Sequence, residues 1–294
     1  MTLAVVRYPT AGALLERAEP WLLRAEDSNN LLLSLCYAVA EEEAETPPGP
    51  IAAGSSAPFF ATVEEAGSVA GCAFRTPPHQ VLLTEMPLEG PVALARQVAE
   101  VYPVIPAVLG PPDLAEAFAR EWTSLTGTPS KPGTDQRLYR LDEVTPLDAP
   151  GRMRLARPEE VALAASWAEA FAREVHTRFG PGEEAISAWI HRGYVFFWED
   201  AGEAGFGPVS MAVAHGRTPH GARIGYVYTP PGRRRRGYAG ALVAELSQRL
   251  LDCGMAFCVL YADLSNPTTN ALYQKMGYRS SSDVRDYHFD PEAP

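Results

Sequence analysis

Lysine is nearly missing from this chain of 294 residues: of 25 basic side chains only Lys131 and Lys275 are lysine, which leaves 23 arginines. Neither lysine lies in a Gly-x-x-x-x-Gly-Lys-Ser/Thr context. A Walker-type phosphate loop and a pyridoxal Schiff base are therefore excluded. Cysteine is scarce too. Cys36, Cys72, Cys253 and Cys258 show no Cys-x-x-Cys spacing and no histidine at zinc-finger distance, so reduced thiols and no metal site are expected. No run approaches 18 uninterrupted apolar residues, and Met1 to Arg7 lacks a charged-then-apolar signal layout, so the expected compartment is the cytoplasm, with no membrane partner. Positive charge is outnumbered, 25 basic against 36 acidic residues for a net −11. That argues against a general nucleic-acid or anionic-membrane surface and leaves room only for a local basic site.

What is present is a globular composition, 46% hydrophobic and 21% charged, in a length that fits one large or two ordinary domains. Thr145-Pro146-Leu147-Asp148-Ala149-Pro150-Gly151 reads as a linker that cuts the chain almost in half, into 1–145 and 152–294. The halves share two short matches in the same order. Asp135, Arg137, Tyr139 and Asp142 recur 148 residues later as Asp283, Arg285, Tyr287 and Asp290. Arg75-Thr76-Pro77 recurs 142 residues later as Arg217-Thr218-Pro219, each trailed by a histidine, His79 or His220.

Periodicity in the second half predicts a strand at 152–156, an amphipathic helix from Pro158 to Val175, strands at 195–198 and 209–214 around a glycine-rich turn at 201–207, a strand at 224–228, a helix at 237–251, a strand at 257–261, a helix at 267–276 and a last strand at 284–289. The first half predicts helices at 11–17 and 31–40, strands at 59–63, 69–74 and 80–84, a helix at 92–101, a strand at 105–109, a helix at 114–122 and a strand at 136–141. Glu41 to Pro48 reads as a solvated turn. The class is α/β, an α+β mixed sheet.

The segment richest in chemistry is Tyr226-Val227-Tyr228-Thr229-Pro230-Pro231-Gly232-Arg233-Arg234-Arg235-Arg236-Gly237-Tyr238-Ala239-Gly240. It runs strand, basic loop, helix start. Unpaired N–H groups and the positive end of a helix dipole, with small residues at Gly237, Ala239 and Gly240, form an anion cradle for a pyrophosphate. The adjacent guanidinia suit phosphate oxygens. A solvated loop and a nucleic-acid patch are the competing readings of the arginine run. It lacks the interleaved aromatics that the nucleic-acid patch needs, so no nucleic-acid partner is expected.

Arg234-x-x-Gly237-x-Ala239 resembles the R/Q-x-x-G-x-G/A motif of the GNAT N-acetyltransferase superfamily. Asn266, then Tyr273 seven residues later, then Gly277-Tyr278 resemble that family's downstream signature. The resemblance covers about 152 to 290 and implies two tandem GNAT-like acyl-CoA N-acyltransferase domains, the second binding acetyl-CoA. It implies that Val227, Tyr228 and Thr229 run beside the pantetheine arm, that Arg234, Arg235, Arg236, Gly237, Tyr238, Ala239 and Gly240 hold the pyrophosphate, and that Asn266, or more weakly Asn270, contacts the cofactor. Tyr273 would be the acid that protonates the leaving thiolate. No residue is singled out as base; Glu174 and His176 are the candidates. The implied reaction is transfer of an acetyl group to a primary amine of a small molecule or a protein. A non-catalytic acyl-CoA-binding module, another acyl donor and a non-amine acceptor stay open. In the first half Thr84-Glu85-Met86-Pro87-Leu88-Glu89-Gly90-Pro91-Val92 is shorter, acidic, and has a proline at the helix start, so that copy should not bind coenzyme A.

Overall fold

The structure, a computed structural model, describes residues 3–45, 57–175, 180–202 and 205–290. His176 lies outside them. The chain divides into two compact units, Met1–Arg137 with Ser282–Pro294, and Leu138–Ser281.

The first unit opens on β1 (Leu3–Tyr8), α1 (Ala11–Leu22) and α2 (Asn30–Glu45), followed by β2 (Phe59–Glu65), β3 (Ser68–Arg75), β4 (Val81–Leu83), α3 (Gly90–Val101), β5 (Ala107–Gly110) and α4 (Pro112–Thr126). The strands β1 to β4 pair antiparallel in order, β4 and β5 pair parallel, and β12 (Arg279–Phe289), the last strand of the chain, pairs antiparallel with β5. Helix α1 begins at Thr10, whose hydroxyl accepts the Ala13 N–H at 3.1 Å. It buries Ala11, Leu14, Ala18 and Leu22 at helical spacing. With α2 it covers one sheet face around Phe60 and Phe74. Helices α3 and α4 cover the other through Leu94, Val98, Phe118 and Trp122.

The second unit repeats this plan. β7 (Arg152–Leu155), α5 (Val161–Glu174), α6 (Glu183–His191), β8 (Val195–Gly202), β9 (Gly205–His215), β10 (Gly221–Tyr228), α7 (Tyr238–Asp252), β11 (Phe257–Asp263) and α8 (Pro267–Lys275) follow in order. β7 to β10 pair antiparallel, β10 pairs parallel with β11, and β6 (Ser130–Leu141) lies next to β11. Helices α5 and α6 pack on one face through Ala164, Ala168, Ile186 and Ile190. Helices α7 and α8 pack on the other through Leu242, Leu246, Tyr273 and Met276. Residues 145–151 lie within this unit: Leu147 and Ala149 pack on its core, and the Pro150 carbonyl accepts Trp198 Nε1–H at 2.8 Å.

The mixed α/β architecture matches the sequence reading, and four local features differ. β1 was not expected; its apolar residues are half-buried or exposed, and pairing with β2 defines it. Glu41 to Glu45 continue α2 instead of turning, as strong helix formers do when a packed helix precedes them. The nine-residue helix α6 was not expected: it is short and follows directly on Gly180-Pro181-Gly182, residues that punctuate loops. The strands around 201–207 also reach further than expected, to Gly202 and from Gly205.

The repeated Asp-x-Arg of the two halves has a structural reason. Arg137 makes two bonds to Asp283, at 2.7 and 2.8 Å. Arg285 makes two to Asp135, at 2.6 and 3.0 Å. Each copy of the motif supplies the partner of the other.

Candidate active site

The site is built where β10 meets α7. β10 pairs with β11 only over Gly221–Arg223, opposite Phe257–Val259, so Ile224 to Tyr228 have no ladder partner on that edge. On the other edge a β-bulge intervenes: Gly225 faces Val213 and Tyr228 faces Met211, one residue more on β10 than on β9. Tyr226 takes up the extra residue at φ +50°. The result is a strand that turns an unpaired row of backbone N–H and C=O groups outward, the arrangement that accepts an added strand-like partner.

After Tyr228 the chain makes a short turn at Pro231–Arg233 and reaches α7 through Arg235 at φ +62° and Gly237 at φ +84°. Left-handed residues alternating with ordinary ones curl the backbone so that successive N–H groups converge on an anion. Gly237 is the N-cap of α7 and no side chain caps the first turn, so the amides at that end face outward. Gly240 is the close-approach position: a Cβ there would sit 3.1 Å from Leu272 and 3.2 Å from Leu147. Arg235, Arg236 and Gly237 are exposed; Tyr238 and Gly240 are buried. The Tyr238 hydroxyl donates to the Asp200 carboxylate, an anchor that, with burial, raises the phenol's pKa. An anionic diphosphate fits this cradle.

Several expected site residues prove to be tied to one another. Arg234 Nη2 contacts both oxygens of Glu174 at 2.5 and 2.8 Å, its Nε donates to the Thr229 carbonyl at 2.8 Å, and its guanidinium lies 5.7 Å from the centre of the Tyr228 ring. The Tyr228 carbonyl accepts Ser210 Oγ at 3.1 Å, and Ser210 Oγ meets Thr229 Oγ1 at 2.8 Å. Val227 packs toward the core under α7.

Asn266 is the N-cap of α8, its side chain accepting Thr269 N–H at 3.1 Å. Asn270 donates to the carbonyls of Asp263 and Asn266 at 2.8 and 2.7 Å and accepts Tyr139 Oη–H at 2.9 Å. Tyr273 is 5% exposed, with Tyr139 and Tyr278 ring centres at 6.3 and 5.8 Å. Burial pushes its pKa well up, so it holds its proton across the neutral range. Among the described residues no group of three or more metal-ligating side chains is present.

In the first unit the corresponding interval is closed. β4 ends at Leu83 and α3 starts at Gly90. Met86 fills the space: a Cβ on Gly71 would come within 2.4 Å of its Cβ, and one on Gly90 within 2.9 Å of its Sδ. Pro91 removes one donor from the helix start, and Gly90 N–H is already bonded to Pro87 at 2.8 Å.

The sequence did not point to the rings beside the bulge. Phe171, Trp189, His215 and Tyr226 make contacts of 5.1 to 5.7 Å between centroids. Phe171 sits four residues after Trp167 on α5, a spacing visible in the sequence; Trp189 rides on the helix that was missed.

The comparisons agree with this geometry. The Acetyltransferase (GNAT) family profile matches residues 163–278. No curated protein matches the chain. A protein from Drosophila has the same fold at TM-score 0.70 and 14% identity, over 98% of this chain and 99% of its own. A GCN5-related N-acetyltransferase from Sphaerobacter thermophilus aligns at TM-score 0.59 and 14% identity, over 97% and 94%. A GNAT-family acetyltransferase from Colwellia psychrerythraea aligns at 0.56 and 10%, over 99% and 100%. By its motifs, its fold and this match, the second half of the chain, across residues 163–278, belongs to the acetyltransferase (GNAT) family.

Proposed function

We propose that the second half is an N-acetyltransferase that moves an acetyl group from acetyl-CoA to a primary amine of a small molecule or a protein, in the cytoplasm. The observation that carries this reading is the unpaired edge of β10 running into the uncapped, arginine-flanked start of α7. The cradle of Arg235 to Gly240 holds the pyrophosphate through backbone N–H groups and the dipole of α7. The free edge around Val227 bonds the pantetheine amides, and Asn266 contacts the cofactor arm. Arg234 and Glu174 act as a pair: Glu174 fixes the guanidinium, and the guanidinium fixes the Thr229 carbonyl. For Glu174 to serve as base it would have to leave that pair.

When bound, acetyl-CoA supplies an activated acyl carbon: the amine nitrogen bonds it, the carbon–sulfur bond breaks with its electrons on sulfur, one proton leaves nitrogen and one reaches the thiolate. Tyr273 holds a phenolic proton at Oη, kept there by burial, and is the acid for that thiolate. The cradle donors counter charge without reorganising.

As sequence modules the halves divide at 1–145 and 152–294; the end of β6, from Leu138, belongs to the second compact unit, and β12 from Ser282 belongs to the first. The first half is a GNAT-like domain with its cofactor cleft filled by Met86.

Thiol release from acetyl-CoA across an amine panel tests this. The wild-type chain should release thiol with at least one amine, and Tyr273→Phe should lower kcat about ten-fold or more while acetyl-CoA affinity is unchanged. Equal rates for the two proteins would remove Tyr273 from the chemistry, and cofactor binding without turnover on any amine would favour the non-catalytic module.

A further inference from the structure

The segment that joins the two halves, 145–151, is pinned at both ends to the second unit. Thr145 N–H donates to the Met276 carbonyl at 2.8 Å, and the Pro150 carbonyl accepts Trp198 Nε1–H at 2.8 Å. Gly277 makes the first of these anchors possible. It holds a φ of +103°, and a Cβ on it would come within 2.8 Å of the Glu143 carbonyl oxygen and 3.3 Å of Leu141 Cδ1, so only a residue without one lets the chain pass there.

Between the anchors, three residues lie along the start of α7. A Cβ on Gly237 would sit 3.5 Å from the Asp148 carbonyl oxygen and 3.4 Å from Ala149 Cβ, and one on Gly240 would sit 3.2 Å from Leu147 Cδ1 and 3.1 Å from Leu272 Cδ1. Gly240 is therefore held between Leu272 of α8 and Leu147 of the joining segment. Both leucines pack against the core beneath α7. No side chain caps the first turn of this helix at Gly237, and the turn is fixed instead by two contacts: the Tyr238 hydroxyl on Asp200 and Gly240 between its leucines. Uncapped amides are only as well placed as the groups that hold their backbone, and a cradle for a diphosphate tolerates about half an ångström of error. The matched family region begins at residue 163, so Leu147 lies outside it.

We propose, resting on the acetyltransferase reading above, that the segment 145–151 braces the cofactor cradle and that Leu147 is a positioning residue for it. Leu147 touches neither cofactor nor acceptor. By filling the space beside Gly240 it sets where α7 begins, and through α7 it sets where the N–H groups of the cradle point. Its loss lets the first turn shift toward the vacated side, away from the diphosphate.

Calorimetric titration of the full chain with acetyl-CoA, together with steady-state rates, tests this. Leu147→Ala should weaken acetyl-CoA binding about five-fold or more and raise its KM alike, with kcat at saturating acetyl-CoA within about two-fold of the wild type. Leu147→Met, which keeps the volume, should match the wild type within about two-fold. Gly240→Ala presses a methyl on both leucines and should bind about ten-fold more weakly. The double variant Leu147→Ala/Gly240→Ala should bind more tightly than Gly240→Ala alone, because the new methyl enters the space that Leu147 left. Unchanged affinity in Leu147→Ala, even with a lower thermal midpoint, would make Leu147 a packing residue and overturn the proposal. Loss of kcat at unchanged affinity, or losses that simply add in the double variant, would overturn it too. If the wild-type chain itself binds no acetyl-CoA, the acetyltransferase reading fails with it.

Discussion

Tyr273 and His215 show how burial sets what a residue can do in this unit. Burial raises the Tyr273 pKa, so at neutral pH it is a proton donor and not a phenolate. Burial, with the Arg223 charge behind it, lowers His215 to about 3, so its imidazole is neutral over the same range. The histidine shift has a stability consequence of definite sign. Below the unfolded value of about 6.5 the unfolded chain takes up a proton that the folded chain refuses, so His215 contributes stability that is complete above that pH and is lost as pH falls toward about 3. The thermal midpoint of the wild-type protein should therefore drop between pH 7.5 and 5, and His215→Gln, which cannot take up the proton, should show a shallower drop. Identical slopes for the two would remove His215 from the acid response.

At the scale of elements, the two features that organise the site are a strand that stops pairing and a helix that starts uncapped. The second was legible: Gly237 and the small residues after it mark a helix start open to an anion. The first was not, because the bulge at Tyr226 depends on what β9 offers across the sheet, and no local pattern encodes a partner's register. The same holds for β1 and α6, which exist through packing more than through periodicity. The repeated Asp-x-Arg was legible as a repeat but not as reciprocal bonding. Both pairs are partly exposed, with the Arg137 and Asp283 side chains at 33% and 38%, so their worth is small. A double-mutant cycle on Arg137→Ala and Asp283→Ala should give a coupling of about 0.5 kcal/mol, shrinking in high salt. A value near zero at low salt would mean that the pair only marks the register of β6 and β12.

At the scale of the whole chain, two units share one plan and differ at one interval. In the first, Met86 and Pro91 close the space between β4 and α3; in the second, the interval between β10 and α7 carries four arginines and an uncapped helix start at Gly237. That contrast was readable in the sequence from the proline and the acids at 84–92, although the plug itself, Met86 under Gly71 and Gly90, required the fold. The scarcity of lysine also gains meaning here, since a cradle built from backbone N–H groups and guanidinia needs none. Calorimetric titration of the full chain with acetyl-CoA tests the account most directly. It should show one site per chain, abolished by Gly237→Glu, which sets a carboxylate at a φ of +84° in the path of the pyrophosphate. Two sites, no binding, or binding that survives Gly237→Glu would contradict it.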